Sequence, residues 1–473
     1  MDQRSPAALN QPRSLPPHFA AIFASAAIPT AALATPLSVY IPNYYASHLG
    51  LSLAVVGGVV ALVRLIDLGF DLLIGVAINA THTPLGRFRP WMVFGVPVLV
   101  AAVYAIFMAG QGVSGAYLAV WLLVLYGGWS MISVGHASWA AALFPEYHAR
   151  SRIYGLMQAV GVAGLVGILL LPSLWPKSSA SGIHAMGYFA MFFAPATVFL
   201  CALLIGEPKR AELGRPASLK EYWTTFVRAS LLRVLAADLA LALGPAITGA
   251  LYLFFFQQAL GYTRGQTSLL LVLYIFAGLF GAPFWAMVAR RLGKHRTVML
   301  GCVLYGFAQA LVFVIPRATL PLMIPGMFFA GFVVSSFSFL IRAMIADISD
   351  EVRLETGKDR TAILYGLITS TSKVGSTISL PIAFSILAAF GFNAKEGVVN
   401  SGVAMDALIG CYVVVPVLTM FVGAALLRGY RLDARRHDEI RAQLSERDLA
   451  IEGAAEAATG ISPLPSAQLT PGG

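Results

Sequence analysis

The sequence predicts an all-α membrane protein with twelve transmembrane helices arranged as two six-helix bundles. Of its 473 residues, 58% are hydrophobic and only 11% are charged, against about 25% in an ordinary soluble chain. The apolar residues form long runs without charge, such as 90–145, and about 20 apolar residues cross a bilayer as one helix. Basic residues are concentrated in alternate connections between these runs. Together these observations exclude a water-soluble enzyme.

Twelve spans account for the apolar runs, and the basic residues orient them. The expected spans are approximately 20–45, 53–80, 91–111, 116–143, 153–174, 184–206, 234–260, 267–289, 297–316, 319–346, 361–391 and 405–428. With the N-terminus inside, the outward connections carry only Lys177, Arg264, Arg317 and Lys395. This positive-inside asymmetry predicts that both termini are cytoplasmic. We therefore expect a multi-pass protein of the plasma membrane, which is the inner membrane in a bacterium.

The longest inward connection divides the spans six and six. The expected organisation is a cytoplasmic N-terminal segment at 1–18, a bundle at 19–206, a central cytoplasmic loop at 207–233, a second bundle at 234–428 and a cytoplasmic tail at 429–473. Basic turns at 86–89 and 293–296 lie at matching places in the two halves, as in two-bundle transporters of the major facilitator fold. The tail begins with a charged, helical pattern and becomes rich in Ala, Gly, Ser and Pro, so we expect a partly disordered, solvated appendage.

The second span carries three charges, Arg64, Asp67 and Asp71. On a helix these side chains share one face of about 60°. Each charge at mid-membrane costs ~2.5–3.5 kcal/mol, so this face is expected to line a wet cavity. Two carboxylates one turn apart can bind one Na⁺ or share one H⁺, which predicts a cation site at Asp67 and Asp71. The alternative is a structural ion pair between Arg64 and one aspartate.

The eleventh span adds Lys373 at middle depth, on a face rich in Ser and Thr. A lone ammonium there needs a carboxylate, and the pair in the second span is the obvious candidate. We predict a coupling lysine that competes with the cation, with Arg64 as a further charge partner. Ser133 in the fourth span is expected to supply a hydroxyl if the ion is Na⁺. Beyond the transported Na⁺ or H⁺, no metal or cofactor is expected.

Other polar and aromatic residues within the spans have weaker interpretations. Tyr40, Tyr44, His136, Trp139 and Tyr365 are candidates for contact with a solute, although aromatic residues inside a bundle more often pack and His136 is as readily an interior histidine. A cytoplasmic gate of ion pairs is expected at Arg87, Arg89, Arg150, Asp347 and Asp350. Asp238, near the start of the seventh span, is expected to be a helix-terminus residue. The three cysteines are expected to pack within the spans.

Read together, these residues resemble the glycoside–pentoside–hexuronide:cation symporters, the melibiose-carrier branch of the major facilitator superfamily. The resemblance covers residues 20–440, and its most specific motif is RLIDLGFDLLIGVAINATHTPLGRFRPW at 64–91. This segment matches the family pattern R-x-x-D-x-x-x-D-x-x-x-G followed by G-R/K-x-R/K-P-W. The resemblance implies that Asp67 and Asp71 are cation-site carboxylates and that Lys373 is the cation-site lysine.

The sequence departs from that family at the sugar site. The aspartate that melibiose-type carriers have on helix 1 falls on Ala31, and the one on helix 4 falls near Gly135. The basic residue on helix 5 has no counterpart, and Gln158 is the nearest polar group. Trp139 and Thr369 fall near family sugar-contact positions, so they and Gln158 are further substrate candidates. The resemblance therefore implies retained cation machinery but not a galactoside as substrate.

The predicted function is a secondary active symporter that couples Na⁺ or H⁺ entry to uptake of a sugar or glycoside-like solute by alternating access. One alternative is a cation-coupled carrier of a non-sugar or lysolipid-like amphiphile, and another is a non-transporting membrane receptor. An enzyme is not expected, because no nucleophile–base pair, phosphate loop or metal cluster occurs in a loop. The expected partners are a small solute, the cation and the lipid bilayer, without nucleic acid, and the protein is expected to act as a monomer.

Overall fold

The computed structural model is almost entirely helical. It describes residues 16–81, 83–144, 147–174, 179–207, 228–316, 319–357, 360–395, 397–430, 432 and 434–459. No β-strand occurs within these ranges. The predicted all-α fold class is therefore confirmed.

We number the helices by the predicted span to which each corresponds. Helix α1 is broken into Pro17–Ser25, Ile28–Thr35 and Ile41–Ser47, with a π-helical turn at Pro36–Tyr40 and a bend of 41° after its first segment. The first half continues with α2 (Leu53–Ala80), α3 (Arg89–Phe107), α4 (Gly115–Leu143), α5 (Tyr147–Leu174) and α6 (Ser179–Leu204). The second half contains α7 (Ala229–Phe254, extended by a π-helical turn at Phe255–Ala259), α8 (Arg264–Leu292), α9 (Lys294–Val314), α10 (Leu320–Thr356), α11 (Thr361–Ala389) and α12 (Gly402–Leu426).

Most of these helices are suited to cross a membrane. In the part of the chain that the structure describes, ten are long and apolar enough, and the bent α1 is an eleventh when its arms are counted as one span. Helix α9 has 21 residues and begins with the basic run at 294–296. It would complete the expected set, so a total of twelve spans remains a prediction.

The two halves share a turn that the sequence repeats. Residues 48–52 (HLGLS) lead into α2, and residues 259–263 (ALGYT) lead into α8. In both turns the leucine N–H is bonded to a carbonyl five residues back, and the residue after the glycine is bonded to a carbonyl six residues back. Gly50 and Gly261 adopt φ values of 81° and 75°, which only glycine adopts readily. Ser52 and Thr263 then cap the following helices with their hydroxyls.

In the described part of the chain, the most extensive contacts between the bundles are those of α2 with α11, α5 with α8 and α1 with α7. We call the end with the turns at 86–89 and 293–296 the basic end, and the opposite end the sealed end. One hydrophobic core extends along the first bundle and continues into the second bundle at the sealed end, where it includes Leu49, Val56, Phe254, Leu271 and Phe384. A second core, which includes Leu231, Trp285 and Ile345, is confined to the second bundle at the basic end. Within the described residues, the apolar contact between the bundles thus lies at the sealed end.

Specific contacts close the sealed end. The hydroxyls of Tyr40 and Ser268 are 2.8 Å apart and buried. The Ser173 hydroxyl donates to the Gly265 carbonyl at 3.1 Å and ties α5 to α8. Gly57 of α2 lies so close to α11 that a Cβ atom there would approach Phe384 to 3.3 Å. These contacts join α1 and α5 of the first half to α8 of the second, and α2 to α11.

The tail differs from the expected solvated appendage. It forms a further helix, α13 (Ala434–Thr459), that packs against α10. Ile440 and Leu444 are buried in the second core, and Arg447 Nη1 donates to the Leu354 carbonyl at 3.3 Å. The apolar spacing of these two residues by one helical turn supplies the docking face. Residues 460–473, where we expected disorder, lie outside the described part.

Two adjacent glycines of α4 test the packing of the first bundle. A Cβ atom on Gly128 would lie 2.8 Å from the Leu99 backbone nitrogen of α3, whereas one on Gly127 would meet nothing within 4 Å. We expect Gly128→Ala to destabilise the protein by about 1–3 kcal/mol, because overpacking forces α3 and α4 apart. Gly127→Ala is the matched control and should leave stability unchanged or raise it. Thermal unfolding of the detergent-purified variants measures both, and equal stabilities would contradict this packing.

Candidate functional site: a charged cavity between the bundles

A cavity of about 540 Å³ lies between the bundles at the middle of the helices. Helices α1, α2, α4, α7 and α11 line it, mostly with small or apolar side chains. Four charged residues also line it: Arg64, Asp67 and Asp71 of α2, and Lys373 of α11. Helical spacing brings the three α2 residues to one face. The face predicted to be wet therefore borders the interface between the bundles.

Lys373 joins the two bundles electrostatically. Its ammonium group forms an ion pair and a hydrogen bond with Oδ2 of Asp71, and lies 3.6 Å from Oδ2 of Asp67. The side chain of Lys373 is 36% exposed, while those of Asp67 and Asp71 are 13% and 35% exposed. One cation of the second bundle thus serves two carboxylates of the first. The three groups carry a net charge of about −1 when all are ionised at neutral pH.

Ser130 completes this cluster, and sequence reasoning missed it. Its fully buried hydroxyl donates to Oδ1 of Asp71 at 2.6 Å and lies 3.4 Å from Oδ1 of Asp67. Ser133, the residue that we expected in this role, lines the cavity one turn further along α4. The available cue was that the two serines are three residues apart and therefore share a helix face. Choosing between them required the register of α4 against α2.

The alternative interpretation of the charged α2 face is a structural ion pair between Arg64 and one of the two aspartates, and the environment of Arg64 tests it. Within the described residues Arg64 forms no ion pair with Asp67 or Asp71, whose ionic partner is Lys373. Its Nε atom is buried and has no hydrogen-bond partner. The pairing of Arg64 with one aspartate is therefore absent from this conformation, because Lys373 occupies the carboxylates.

Four of the predicted substrate contacts lie away from the cavity. Tyr40 belongs to the seal, and the Tyr44 hydroxyl donates to the Ala109 carbonyl while its ring stacks on His48. His136 is 3% exposed, and its Nε2 donates to the Phe23 carbonyl at 2.9 Å. Trp139 is fully buried with its ring edge-on to Phe23. In this conformation packing, rather than solute contact, accounts for all four side chains.

The other candidates lie towards the basic end. Thr369 is exposed one turn from Lys373 on the same face of α11, and its hydroxyl donates to the Tyr365 carbonyl. Ser370 and Tyr365 are also exposed. Gln158 is exposed on α5 but does not line the cavity. Because contacts between the bundles close the other end, we assign the basic end as the open side of the cavity.

The comparison with known protein families agrees with this geometry. The family model described as MFS/sugar transport protein matches residues 22–434. The chain belongs to this family. The resemblance predicted from the α2 motif is thereby confirmed, and the family consists of transporters rather than enzymes. The major facilitator fold is also confirmed.

Members of this transporter family with curated names match nearly the whole chain at low identity. The glucuronide carrier protein homolog of Escherichia coli (strain K12) is 23% identical over 424 residues, which cover 87% of this chain and 91% of that protein. The isoprimeverose transporter of Lactiplantibacillus pentosus is 24% identical over 419 residues, covering 84% and 85%. The crystal structure of the nucleoside transporter NupG has a TM-score of 0.67 at 11% identity, covering 87% of this chain and all of that one. The last similarity shows the fold alone.

In this family member, the predicted gate residues of the first bundle make contacts within that bundle. The carboxylate of Glu207, after α6, accepts the backbone N–H groups of Arg87, Phe88 and Arg89 at 2.5–2.9 Å. The Arg89 guanidinium donates to the Ile205 carbonyl. These donors are at the start of α3, where a carboxylate complements the helix dipole. The side chain of Arg150 lies outside the described part.

The predicted gate residues of the second bundle contact α9 and the tail. Lys294 Nζ lies 2.5 Å from Oδ1 of Asp347. His437 Nε2 of α13 lies 3.0 Å from Oδ2 of Asp350 and 3.3 Å from Oδ1 of Asp347. Each of these contacts again joins elements of one bundle. The ion pairs therefore brace the basic end of a bundle, which is compatible with a cavity open at this end.

Asp238 is not the helix-terminus residue that we expected. It lies more than two turns into α7 and is 9% exposed. Its Oδ2 accepts the hydroxyl of Ser372, the residue before Lys373, at 2.7 Å. Asp238 thus ties α7 to α11 within the second bundle and supports the helix that carries the cavity lysine.

Ser130 and Ser133 provide a matched test of the carboxylate cluster. Ser130→Ala removes the buried hydroxyl that donates to Asp71, and the loss of a hydrogen bond to a charged group costs about 1.5–3 kcal/mol. We expect a corresponding fall in thermal stability in detergent. Ser133→Ala should change stability much less. The opposite order of the two variants would mean that Ser133 supports the cluster.

Proposed function

We propose that this protein is a secondary active symporter that couples entry of Na⁺ or H⁺ to uptake of a sugar or glycoside-like solute. The observation that carries the proposal is the contact of Lys373 with both Asp67 and Asp71 across the bundle interface. The relatives support the choice of solute, since they include a glucuronide carrier homolog and an isoprimeverose transporter.

The coupling step follows from competition for two carboxylates. A cation that binds Asp67 and Asp71 reduces their attraction for Lys373, and a proton does the same by neutralising one of them. Because the lysine belongs to the second bundle and the carboxylates to the first, occupancy by the ion weakens a bond between the bundles. A gradient that loads this site thereby shifts the balance between conformations.

Alternating access requires that the seal opens when the basic end closes. The present conformation is open at the basic end, which the positive-inside rule assigns to the cytoplasm. Release of solute and cation into the cytoplasm would occur from this state. We further propose a location in the plasma membrane with cytoplasmic termini, as the charge distribution predicts. We also propose action as a monomer.

Neutralising the carboxylates tests the cation role. We expect Asp67→Asn and Asp71→Asn each to lower gradient-driven accumulation by about tenfold or more, since one lost charge-assisted contact costs about 1.5–3 kcal/mol. The measurement is uptake of a panel of radiolabelled glycosides into proteoliposomes under an imposed Na⁺ gradient and then an H⁺ gradient.

Asp438→Asn is the matched control for this test, because Asp438 is exposed on α13. Its uptake should equal that of the unaltered protein. Full accumulation by the Asp67→Asn, Asp71→Asn double variant would refute the cation site. Labelled lysolipids in the same assay distinguish the amphiphile carrier, and the absence of any gradient-dependent uptake across the panel would leave the receptor interpretation.

A reversible cross-link tests alternating access. The Ser173 hydroxyl contacts the Gly265 carbonyl across the seal, and a Cβ atom on Gly265 would lie 3.7 Å from the Ser173 Cα. We expect a Ser173→Cys, Gly265→Cys variant to form a disulfide in the present conformation and to lose transport when oxidised. Reduction should restore transport. Each single-cysteine variant is the control, and transport that persists in the cross-linked protein would contradict opening at this end.

A further inference from the structure

Displacement of Lys373 by the cation creates a charge that the present contacts do not balance. When an ion occupies Asp67 and Asp71, the ammonium group of Lys373 loses the two carboxylates that it contacts in this structure. The proposed coupling step therefore leaves a lone positive charge at middle depth, where an unpaired charge is expensive. Loading of the ion is far more favourable when another acceptor lies within reach of the lysine.

Asp238 of α7 is a buried charge with an incomplete environment. Its Oδ2 accepts the hydroxyl of Ser372 at 2.7 Å. Among the described residues it forms no ion pair, and Arg342 of α10 interacts with it electrostatically from a longer distance. A carboxylate buried within a membrane span is costly without a counter-ion. Asp238 thus lacks, in this conformation, the kind of partner that Lys373 lacks after its displacement.

Asp238 lies on the face of α7 that continues into the cavity. Pro245 and Gly249, which line the cavity, follow it by about two and three helical turns, so the three residues share one face. The side chain of Asp238 therefore lies between the cavity and the basic end. It is buried against α11 at the residue next to Lys373.

The separation between α7 and α11 is small enough for a contact with the lysine. A Cβ atom on Gly375 would lie 3.0 Å from the Leu239 carbonyl oxygen, so the two helices touch at this level. Consecutive Cα atoms are about 3.8 Å apart, and lysine carries its ammonium group on a flexible four-carbon stem. Side chains also lean towards the N-terminus of their helix, which on α11 is the direction of the basic end. A carboxylate that already touches Ser372 is thus within reach of Lys373.

We infer that Asp238 is the alternative counter-ion of Lys373 and receives its ammonium group when the transported cation occupies Asp67 and Asp71. This inference rests on the proposed function, because it completes the same coupling step. The lysine exchanges a contact between the bundles for a contact within the second bundle. The interface is released by exchange of one ion pair for another, rather than by exposure of a lone charge.

Asp238→Asn tests the charge while keeping the hydrogen-bond acceptor. Asparagine retains a carbonyl oxygen for the Ser372 hydroxyl but offers the displaced ammonium group no negative charge. We expect the Na⁺ concentration for half-maximal uptake to rise about tenfold or more. If the ion is H⁺, the pH of half-maximal uptake should fall by about one unit or more, because loading becomes less favourable. The measurement is initial uptake of the glycosides that accumulate, into proteoliposomes of the full-length protein, at varied external Na⁺ or pH.

Asp238→Glu and Asp438→Asn are the controls for the charge. Asp238→Glu restores a carboxylate at the same position and should have an ion dependence closer to that of the unaltered protein than Asp238→Asn has. Asp438 is exposed on α13, so Asp438→Asn removes a negative charge far from the lysine. Its ion dependence should equal that of the unaltered protein.

Ser372→Ala is the matched variant for a purely structural role of Asp238. It removes the hydrogen bond between α7 and α11 but leaves the carboxylate. If Asp238 receives the lysine, Ser372→Ala lowers thermal stability in detergent, while the ion dependence shifts mainly in Asp238→Asn. A shift of the ion dependence in Ser372→Ala that equals or exceeds the shift in Asp238→Asn would mean that Asp238 only joins the helices, and would overturn the inference.

A zero-length cross-link on the unaltered protein measures the contact directly and does not depend on the folding of a variant. A hydrophobic carbodiimide joins a lysine amine to a carboxylate that touches it, and peptide mass spectrometry locates the resulting amide. Without Na⁺ at neutral pH, the amide should join Lys373 to Asp71 or Asp67. With saturating Na⁺, or at low pH if the ion is H⁺, an amide between Lys373 and Asp238 should form in its place.

The outcomes separate this inference from the proposed function. Gradient-driven uptake with the same ion dependence in Asp238→Asn as in the unaltered protein would overturn the role of Asp238 and leave the symporter intact. Loss of the amide to Asp71 on loading, without an amide to Asp238, would also overturn it. Absence of gradient-driven uptake for every solute would instead refute the proposed function itself.

Discussion

The organisation of the cavity depends on one ammonium group that is shared by two carboxylates across the bundle interface. Asp67 and Asp71 repel each other within one turn of α2, and each would be costly at mid-membrane without a counter-ion. Lys373 reduces both costs from the facing helix. Ser130 adds a hydrogen bond from α4, and Asp238 holds α11 through Ser372. The same attraction that makes the buried charges tolerable therefore also holds the bundles together.

In the proposed symport mechanism, this arrangement links ion occupancy to the conformation of the molecule. The seal and the Lys373 bridge are different kinds of contact between the same two bodies. The seal consists of a continuous apolar core, close helix packing and hydrogen bonds between uncharged groups, so it offers no charged group for an ion to bind. The bridge is electrostatic, and in the proposed mechanism the transported cation competes with Lys373 for the two carboxylates. A symporter needs both kinds of contact. A purely apolar interface would offer the cation no binding group, and a purely ionic interface would let water and ions pass between the bundles.

The helices and the charged face of α2 could be predicted from the sequence, because the length of an apolar run and the spacing of residues along a helix are local properties. The pairing of Lys373 with the α2 carboxylates could also be predicted, since a lone cation at mid-membrane requires a carboxylate partner. The contact of Ser130 with Asp71 could not be predicted, because choosing between two serines on one helix requires knowing how α4 is rotated about its axis. Tyr40 and Trp139 were candidates by residue type, yet bundle packing determines whether an aromatic ring meets the cavity or the core. The docking of α13 was likewise hidden, since two apolar residues in a charged helix give a weak local signal.

The turn that precedes both α2 and α8 indicates that the two halves are copies of one scaffold. The acidic pair is not copied with it, since α8 contains neither Asp nor Glu along its length. The proposed cation site on α2 consequently has no counterpart on α8. The repeated fold therefore does not imply that two cations are transported per cycle, because the helix in the second half that corresponds to α2 provides no second pair of carboxylates.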